Sequence, residues 1–302
     1  MLNTEKEIIE VCEEQNKTIA DLIMEEEIAT AKGKKTEADI RGYLRETLKV
    51  MESSAMANLE KSTESKFNMI DGFAMAANKA SMDDGEREPM SGSFIMRAMA
   101  MAFSTSEINC AMGKIVAAPT AGSSGILPAA MMSAKEKYGF AQKTLENGLL
   151  TAIAIGKIIA KYSTFAGAEG GCQAECGSAA AMASAALVAM RGGNASEALT
   201  AASICFVNVM GLICDPIAGL VQYPCTFRNS SGVVNAITSA DLALAGVKSI
   251  VPFEEVVQAT KEVGDALEPE FRETGLGGLA GTRTGQKIRE KFIGSEARNK
   301  VM

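Results

Sequence analysis

The amino-acid sequence predicts an all-α fold, a multi-helical protein whose central region is buried and rich in Ala, Gly and Met. Apolar residues recur at intervals of three to five positions over long segments, as they do on one face of a helix. The alternation of apolar and polar residues that is typical of strands is almost absent. Only 14 of the 128 residues from Ala98 to Cys225 are charged, against 53 of the other 174. The middle of the chain is therefore expected to form the core.

Two helices are predicted at the N-terminus. Thr4 and Glu7 fit a capping box, which opens a long helix reaching roughly Ala31, and Gly33 ends it. A second helix is expected to start near Thr36, because one apolar stripe follows it, made of Ile40, Leu44, Leu48, Met51, Met56 and Leu59. The two helices are expected to pair as an antiparallel hairpin.

Further helices are predicted between Gly, Pro and Asn residues, at about 91–112, 126–139, 145–162, 172–191, 195–212, 230–246 and 252–265. Lys114 to Ala118 is a candidate for short extended backbone. We find no internal repeat and no low-complexity linker. We therefore expect one all-helical domain over residues 1–302, in which the hairpin occupies residues 1–63 and the core residues 64–302.

The composition excludes several classes of protein. Apolar residues make up 47% and charged residues 22%, which are ordinary globular values, so a disordered chain is excluded. The net charge is −7 and no basic stripe is interleaved with aromatic residues, so neither nucleic acid nor an anionic membrane is an expected partner. The longest apolar runs are rich in Ala and Gly instead of Leu and Ile, which favours buried core helices over membrane spans.

The chain contains no His, which limits its chemistry. A Ser-His-Asp triad, a Cys-His dyad and the common His-based zinc and iron sites cannot be built from it. A general base must be another residue type or come from another chain. The N-terminal segment is acidic and lacks an apolar signal core, so we expect a cytoplasmic protein with reduced thiols. Its seven cysteines are then core residues, metal ligands or catalytic groups.

One loop motif, AAPTAGSSGILPAA, lies at the edge of a predicted helix. Pro119 fixes the backbone before the turn, and Gly122 and Gly125 permit unusual backbone angles. Ser123 or Ser124 can cap a helix that begins near Ile126. Such a turn offers N–H groups and hydroxyls to a carboxylate or phosphate, but it is equally consistent with an ordinary capped turn between two helices.

Three cysteines share a setting at predicted helix ends. Cys172 follows two glycines, Cys214 precedes Asp-Pro, and Cys225 follows a proline. Three thiolates with a fourth position left open can hold a [4Fe–4S] cluster and keep it reactive. Each cysteine alone is more simply a small buried hydrophobe, whereas the shared setting favours ligands. Cys176, one turn after Cys172, is a reserve ligand or a core contact. For the remaining three, Cys12, Cys110 and Cys205, core packing is expected.

Four strings carry a family resemblance: AAPTAGSSGILPA, EGGCQAECG, GLICDPIAGLVQYPCTFRN and GLGGLAGTRTG. They resemble the iron–sulfur-dependent bacterial L-serine dehydratases, specifically the alpha chain of the two-chain type, over roughly Ser65 to Gly285. The resemblance implies an all-helical catalytic domain and a lyase that converts L-serine, a small amino acid, to pyruvate and ammonia. It also implies a [4Fe–4S] cluster bound by Cys172, Cys214 and Cys225, with one iron lacking a protein thiolate.

The remaining roles are hypotheses built on that resemblance. Arg228 and Asn229 either orient the substrate carboxylate or donate to cluster sulfurs, although an ordinary polar pair at a helix start is equally expected. The carboxylate is expected to bind the iron or the hydroxyls and N–H groups of Thr120, Ser123 and Ser124.

The general base is less well defined. Lys66 and Asp71 are candidate catalytic bases, although a surface lysine and a loop aspartate are the simpler interpretation. Because the chain lacks His, we favour a base from a separate beta chain, which implies a hetero-oligomer whose alpha chain alone is inactive. Single-chain members end in a Cys that can cap the cluster, whereas this sequence ends RNKVM.

Three alternatives remain open at this stage. The same cluster chemistry could act on L-threonine or L-cysteine, because one methyl group changes discrimination by only about 1–3 kcal/mol. A PLP enzyme, in which TAGSSG would bind the phosphate, is not favoured because such enzymes need alternating strands and helices. The non-enzymatic alternative is an iron–sulfur sensor that displays an oxidisable cluster.

Overall fold

The computed structural model describes residues 4–299, with side chains described as far as Phe292. Within that part of the chain the backbone forms α-helices and no β-strand, so the predicted all-α class is confirmed. The helices are α1 Glu5–Gln15, α2 Ile19–Thr30, α3 Glu37–Met56, α4 Phe73–Ser81, α5 Gly92–Cys110, α6 Ile126–Tyr138, α7 Gln142–Tyr162, α8 Gly167–Gly170, α9 Ser178–Met190, α10 Ala195–Val207, α11 Cys225–Leu244, α12 Phe253–Asp265 and α13 Arg283–Asn299. A π-helical turn spans Gln173–Gly177, and short 3₁₀ turns span Ile217–Gly219 and Pro269–Phe271.

The N-terminal segment forms three helices, so the prediction of one continuous helix from residue 4 to 31 is wrong. The capping box of Thr4 and Glu7 is confirmed, but α1 ends at Asn16, which adopts a left-handed conformation with φ 50°. Thr18 then opens α2 through a second capping box with Asp21. The shorter Asp carboxylate closes this box as Glu does in the first one.

The N-terminal helices contact one another, but they pack more extensively on the central helices. Helix α2 lies mainly against α7, and α3 lies against α5, α6 and α7. The stripe of α3 is buried at Ile40, Leu44, Leu48 and Met51. Ion pairs reinforce the contact with α7, because the Glu146 carboxylate accepts from Arg41 at 3.1 Å and from Arg45 at 2.9 Å.

The low-charge middle of the chain is the core, as predicted. Helix α9 has the sequence SAAAMASAALVAM and is buried along nearly its whole length. It packs against α6, α7, α10 and α11, and its small side chains permit these close approaches. None of the helices that the structure describes combines the length and apolar composition needed to cross a lipid bilayer.

Several helix boundaries differ from the sequence prediction. The segment predicted as one helix over 172–191 divides into the π-helical turn and α9, and α11 begins at Cys225 instead of 230. Helix α4 was missed because it starts after Gly72, at φ 88°, without a side-chain cap, so its sequence carries no start signal. Residues 114–118 are irregular and form no strand.

Candidate metal centre

Cys172 is positioned by the turn between α8 and the π-helical segment. The preceding Gly171 has φ 75°, and a Cβ there would lie 2.6 Å from Leu267 Cδ1 and 2.8 Å from the carbonyl oxygen of Leu212. Glycine is therefore required both for the backbone angle and for the space. The N–H of Gln173 donates to the same Leu212 oxygen at 3.0 Å. This turn holds Cys172 against the segment that leads to Cys214.

Cys214 lies in an isolated parallel bridge with Arg272. Its N–H donates to the carbonyl of Phe271 at 2.8 Å, and the N–H of Glu273 donates to the Cys214 carbonyl at 2.7 Å. The bridge brings Glu273 to Cys214, and the π-helical turn supplies Glu175, so that ligand atoms of Glu175, Cys214 and Glu273 all lie within 4.8 Å of one another. Thiols and carboxylates grouped in this way form a possible metal site.

The cysteine sulfurs of two distant segments meet at Cys172. Its Sγ lies 3.4 Å from that of Cys176, and Cys214 is also within hydrogen-bonding distance of it. Cys225, the first residue of α11, is buried and lies close enough for the charge of Cys172 to raise its pKa. The structure thus brings together the three cysteines that the sequence singled out, with Cys176 beside them.

The TAGSSG turn faces the same group. Thr120 Oγ1 donates to a Glu175 carboxylate oxygen at 2.9 Å and lies 3.1 Å from the hydroxyl of Ser123. Ser124 instead donates to the carbonyl of Ala121 within its own turn, at 2.8 Å. Helix α6 begins at Ile126 as predicted, but neither serine caps it, so that part of the prediction is wrong. Thr120 is therefore the turn residue that contacts Glu175, and Ser123 contacts Thr120.

Asn229 joins this turn to the start of α11. Its side-chain oxygen accepts from the N–H of Gly125 at 2.8 Å. Its amide nitrogen donates to the carbonyls of Gly122 at 2.7 Å and Cys225 at 2.8 Å. With all these groups engaged inside the protein, Asn229 serves to fix the turn relative to Cys225.

Arg228 is the cation described next to the cysteines. Its guanidinium donates to the Asp215 carboxylate and to the Ile213 carbonyl, and it also interacts with the sulfur of Cys172. Asp215 is buried and accepts a further hydrogen bond from the N–H of Leu279 at 2.7 Å. Arg228 therefore links the Cys214 segment, the Gly-rich segment after residue 275 and the cysteine group.

The electrostatics favour ionisation of Cys172 over that of the neighbouring cysteines. Hydrogen bonds from Cys176 and Cys214, together with the charge of Arg228, hold the pKa of Cys172 well below its usual range. The pKa values of Cys176 and Cys214 are raised, first by their hydrogen bonds to Cys172 and then by burial. Burial and the charge of Cys172 raise the pKa of Glu175 to about 7. A bound cation would allow more of these groups to ionise, because ligands must deprotonate to bind metal.

Buried polar atoms without partners provide a test of whether a bound group fits. Among the described residues, four such side-chain atoms occur, and three belong to segments that carry the cysteines: Ser178, Gln222 and Thr226. Gln222 and Thr226 flank Cys225, and Ser178 directly follows the π-helical turn. Because native proteins rarely leave such atoms unpaired, their clustering fits a site that holds a further group.

Comparison with known proteins identifies the family. The sequence matches the family described as serine dehydratase alpha chain over residues 14–280, most of its length. The chain belongs to this family. An L-serine dehydratase alpha chain from Peptoniphilus asaccharolyticus is 60% identical over 293 residues, covering 97% of this chain and 99% of that protein. A probable L-serine dehydratase alpha chain from Bacillus subtilis is 40% identical over 294 residues, covering 97% and 96%. An L-serine dehydratase from Helicobacter pylori is 31% identical over 286 residues, which cover 92% of this chain but 61% of that longer protein.

The two candidate bases of this family member lie in the loop before α4. Asp71 accepts from the N–H of Ser65 at 2.7 Å and from its hydroxyl at 2.6 Å, so it closes this loop. Its charge also contributes to raising the pKa of Cys110 to about 12, after the larger effect of burial. Lys66 is exposed, with its ammonium 5.1 Å from the ring centroid of Phe67. A catalytic role for either residue stays a prediction.

Three acidic residues of the site were missed by the sequence analysis: Glu175, Asp215 and Glu273. A usable signal existed for Glu175 and Asp215, because each is an acidic residue inside the low-charge region and within a cysteine motif. Glu273 carries no local signal. It reaches the site only through the bridge between Cys214 and Arg272, which joins segments 58 positions apart in the chain.

Proposed function

We propose that this chain is the alpha subunit of an L-serine dehydratase, a lyase that converts L-serine to pyruvate and ammonia together with a beta subunit. One observation carries the proposal: in a chain of this family, Cys172 interacts with both Cys214 and Cys225, and Thr120 contacts Glu175 in the segment that follows Cys172. The names of the relatives support the substrate, since those proteins are named L-serine dehydratases.

Cys172, Cys214 and Cys225 would hold a [4Fe–4S] cluster in this proposal. Thiolates are the usual protein ligands of such clusters, and the unpartnered atoms of Gln222 and Thr226 next to Cys225 fit a group bound there. When bound, the cluster supplies a Lewis-acidic iron that eases departure of the substrate hydroxyl. No PLP is proposed, because the residues described form no sheet of the kind that PLP-dependent dehydratases use.

In this proposal the other site residues bind the substrate carboxylate or hold neighbouring groups in place. Thr120 and Ser123 lie where their hydroxyls can donate to the substrate carboxylate, and Asn229 keeps their turn in place. Arg228 stabilises the negative charge of Cys172 and fixes Asp215. Loss of water from serine also requires removal of the Cα proton, for which we propose a base of the beta subunit, since this chain has no His.

The reaction proceeds in two stages, loss of water first and release of ammonia second. Removal of the Cα proton and expulsion of the hydroxyl give water and an enamine. The enamine takes up a proton at carbon to become an imine, which water hydrolyses to pyruvate and ammonia. The site therefore needs to assist only the first elimination.

Reconstitution tests the proposal. The chain is purified without oxygen, loaded with iron and sulfide, and mixed with the beta subunit. The 2-oxo acid product is then followed with three substrates in parallel: pyruvate from L-serine and L-cysteine, and 2-oxobutanoate from L-threonine. We expect pyruvate from L-serine with the complex and none with either chain alone. A cluster that forms while no amino acid is consumed would favour the sensor instead, and faster turnover of threonine or cysteine would change the substrate.

Single substitutions test the ligand assignment. Ala at Cys172, Cys214 or Cys225 is expected to remove most bound iron and all activity. The matched control is Cys12→Ala, since Cys12 is also buried but lies in α1, away from the site. Equal losses in Cys12→Ala and in the other three would contradict the assignment.

A further inference from the structure

Glu273 is tied to one of the proposed ligands through the backbone. Its N–H donates to the carbonyl of Cys214 at 2.7 Å, directly beside the parallel bridge. Its φ is 61°, in the left-handed region that side chains other than Asn, Asp and Gly rarely adopt. The backbone of half-buried Glu273 is therefore held beside that of Cys214.

The surroundings of the Glu273 carboxylate are negative. One of its oxygens, one oxygen of Glu175 and the Cys214 sulfur all lie within 4.8 Å of one another. Arg228 is already engaged by Asp215 and the Ile213 carbonyl. Two carboxylates and thiol groups collected around so little positive charge are a donor set suited to a metal.

The neighbouring donors have other partners. Glu175 accepts from Thr120, which holds it to the TAGSSG turn. Cys176 pairs with Cys172, with 3.4 Å between the two sulfurs. The Glu273 carboxylate accepts a hydrogen bond from the backbone of Ala168 and, among the described residues, none from a side chain. Of the two carboxylates beside Cys214, Glu273 is therefore the better candidate for an iron that the three cysteines do not bind.

We propose that the Glu273 carboxylate is the protein ligand of the fourth iron when substrate is absent. This inference rests on the proposed function, because it requires a [4Fe–4S] cluster on Cys172, Cys214 and Cys225. A carboxylate oxygen exchanges for another oxygen ligand more readily than a thiolate does, so Glu273 can protect the iron and still give way to an oxygen of the substrate.

Loss of the fourth iron to oxygen is the readout. In this reaction the cluster gives one electron to O₂, which becomes superoxide, and then releases Fe²⁺, leaving [3Fe–4S]⁺. The reconstituted alpha–beta complex is exposed to a fixed amount of dissolved oxygen. Released iron is trapped with a ferrous chelator while the [3Fe–4S]⁺ signal is followed by electron paramagnetic resonance. Neither measurement depends on enzyme activity.

Four variants sharpen the experiment. Glu273→Ala and Glu273→Gln are expected to release the fourth iron at least about 10-fold faster than the unmodified chain, as losses of metal-site groups commonly do. Glu273→Cys supplies a thiolate at the same backbone position and is expected to release iron more slowly and to lose activity. The control is Glu270→Gln, an exposed carboxylate three positions earlier, which is expected to behave like the unmodified chain.

The outcomes separate the two proposals. If the unmodified complex takes up no cluster, the proposed function fails. If it holds a cluster and consumes serine while Glu273→Ala and Glu273→Cys release iron at the unmodified rate, only the role of Glu273 is overturned. Sulfide content and helical circular dichroism are measured for each variant, so a Glu273 variant that loses the whole cluster while remaining folded also overturns the capping role.

Discussion

The side-chain oxygen of Asn229 accepts a hydrogen bond from the backbone N–H of Gly125, at 2.8 Å, although 104 positions separate the two residues. The amide nitrogen of the same side chain donates to Gly122 and Cys225. One amide therefore determines the distance between the proposed substrate-binding turn and a proposed cluster ligand. It does so with every polar atom of its side chain engaged.

Replacement of Asn229 should loosen this arrangement. Asn229→Ala leaves a buried N–H and two carbonyls without this partner, so we expect the free energy of unfolding to fall by about 1–3 kcal/mol. Activity should fall further than stability alone explains, because the turn and Cys225 lose their common tether. Urea unfolding and a pyruvate assay measure the two effects. An Asn229→Ala variant with the stability and activity of the unmodified chain would contradict this account.

Removal of Arg228 should destabilise the chain through Asp215. Arg228→Met leaves the buried Asp215 carboxylate without its cation, which is expected to lower the free energy of unfolding by about 3–5 kcal/mol. Denaturant unfolding of the metal-free chain measures this loss. The double variant with Asp215→Leu should recover part of the stability but not the activity, since Arg228 also stabilises the Cys172 thiolate. Full recovery of activity in the double variant would contradict a role at Cys172.

A Cβ at Gly171 should displace Cys172. Gly171→Ala combines an unfavourable φ of 75° with contacts of 2.6 Å and 2.8 Å to Leu267 and Leu212. The matched control is Gly192→Ala, which has φ 81° and nothing within 4 Å of the new Cβ. The control should lose only about 1–2 kcal/mol from the backbone conformation, whereas Gly171→Ala should lose more and bind less iron. Iron content and thermal midpoints measure both, and equal behaviour of the pair would show that space at Gly171 is unimportant.

A buried carboxylate in α5 should make stability depend on pH. Glu107 accepts from the N–H of Ala74 and the amide of Asn58, both at 2.8 Å, and burial raises its pKa above the usual 4.5. The folded chain holds this proton more tightly than the unfolded chain, so the stabilisation is complete below pH 4.5 and is lost as the pH rises through the folded pKa. Glu107→Gln lacks this titration. As the pH rises, the unmodified chain should therefore lose unfolding free energy relative to the variant. A difference that stays constant from about pH 4 to 8 would contradict the raised pKa.

Local chemistry explains what the sequence could predict. Cys172, Cys214 and Cys225 stand close to glycine or proline, so their placement outside α-helix interiors could be inferred from these neighbours alone. The helical class followed in the same way from periodicity. By contrast, the break between α1 and α2 was not predicted. To recognise it, Asp21 had to be read as the capping-box partner of Thr18, although its side chain is shorter than that of Glu.

The features that could not be predicted from the sequence depend on long-range contacts. Glu273 contacts Cys214 through a backbone hydrogen bond, and the residues around the two positions give no indication of that pairing. Asp215 was visible as part of a cysteine motif, but its partner Arg228 and its contact with Leu279 arise only from tertiary packing. The division of the chain at residues 63 and 64 and the catalytic roles of Lys66 and Asp71 stay predictions.

The main-chain hydrogen bonds that join Gln173 to Leu212 and Cys214 to Phe271 are made entirely by the polypeptide. Insertion of the proposed cluster would then follow folding, into a scaffold whose shape the polypeptide itself sets. Oxidative loss of that proposed cluster would leave the polypeptide able to take up another, so a cell could repair the subunit without synthesising it again.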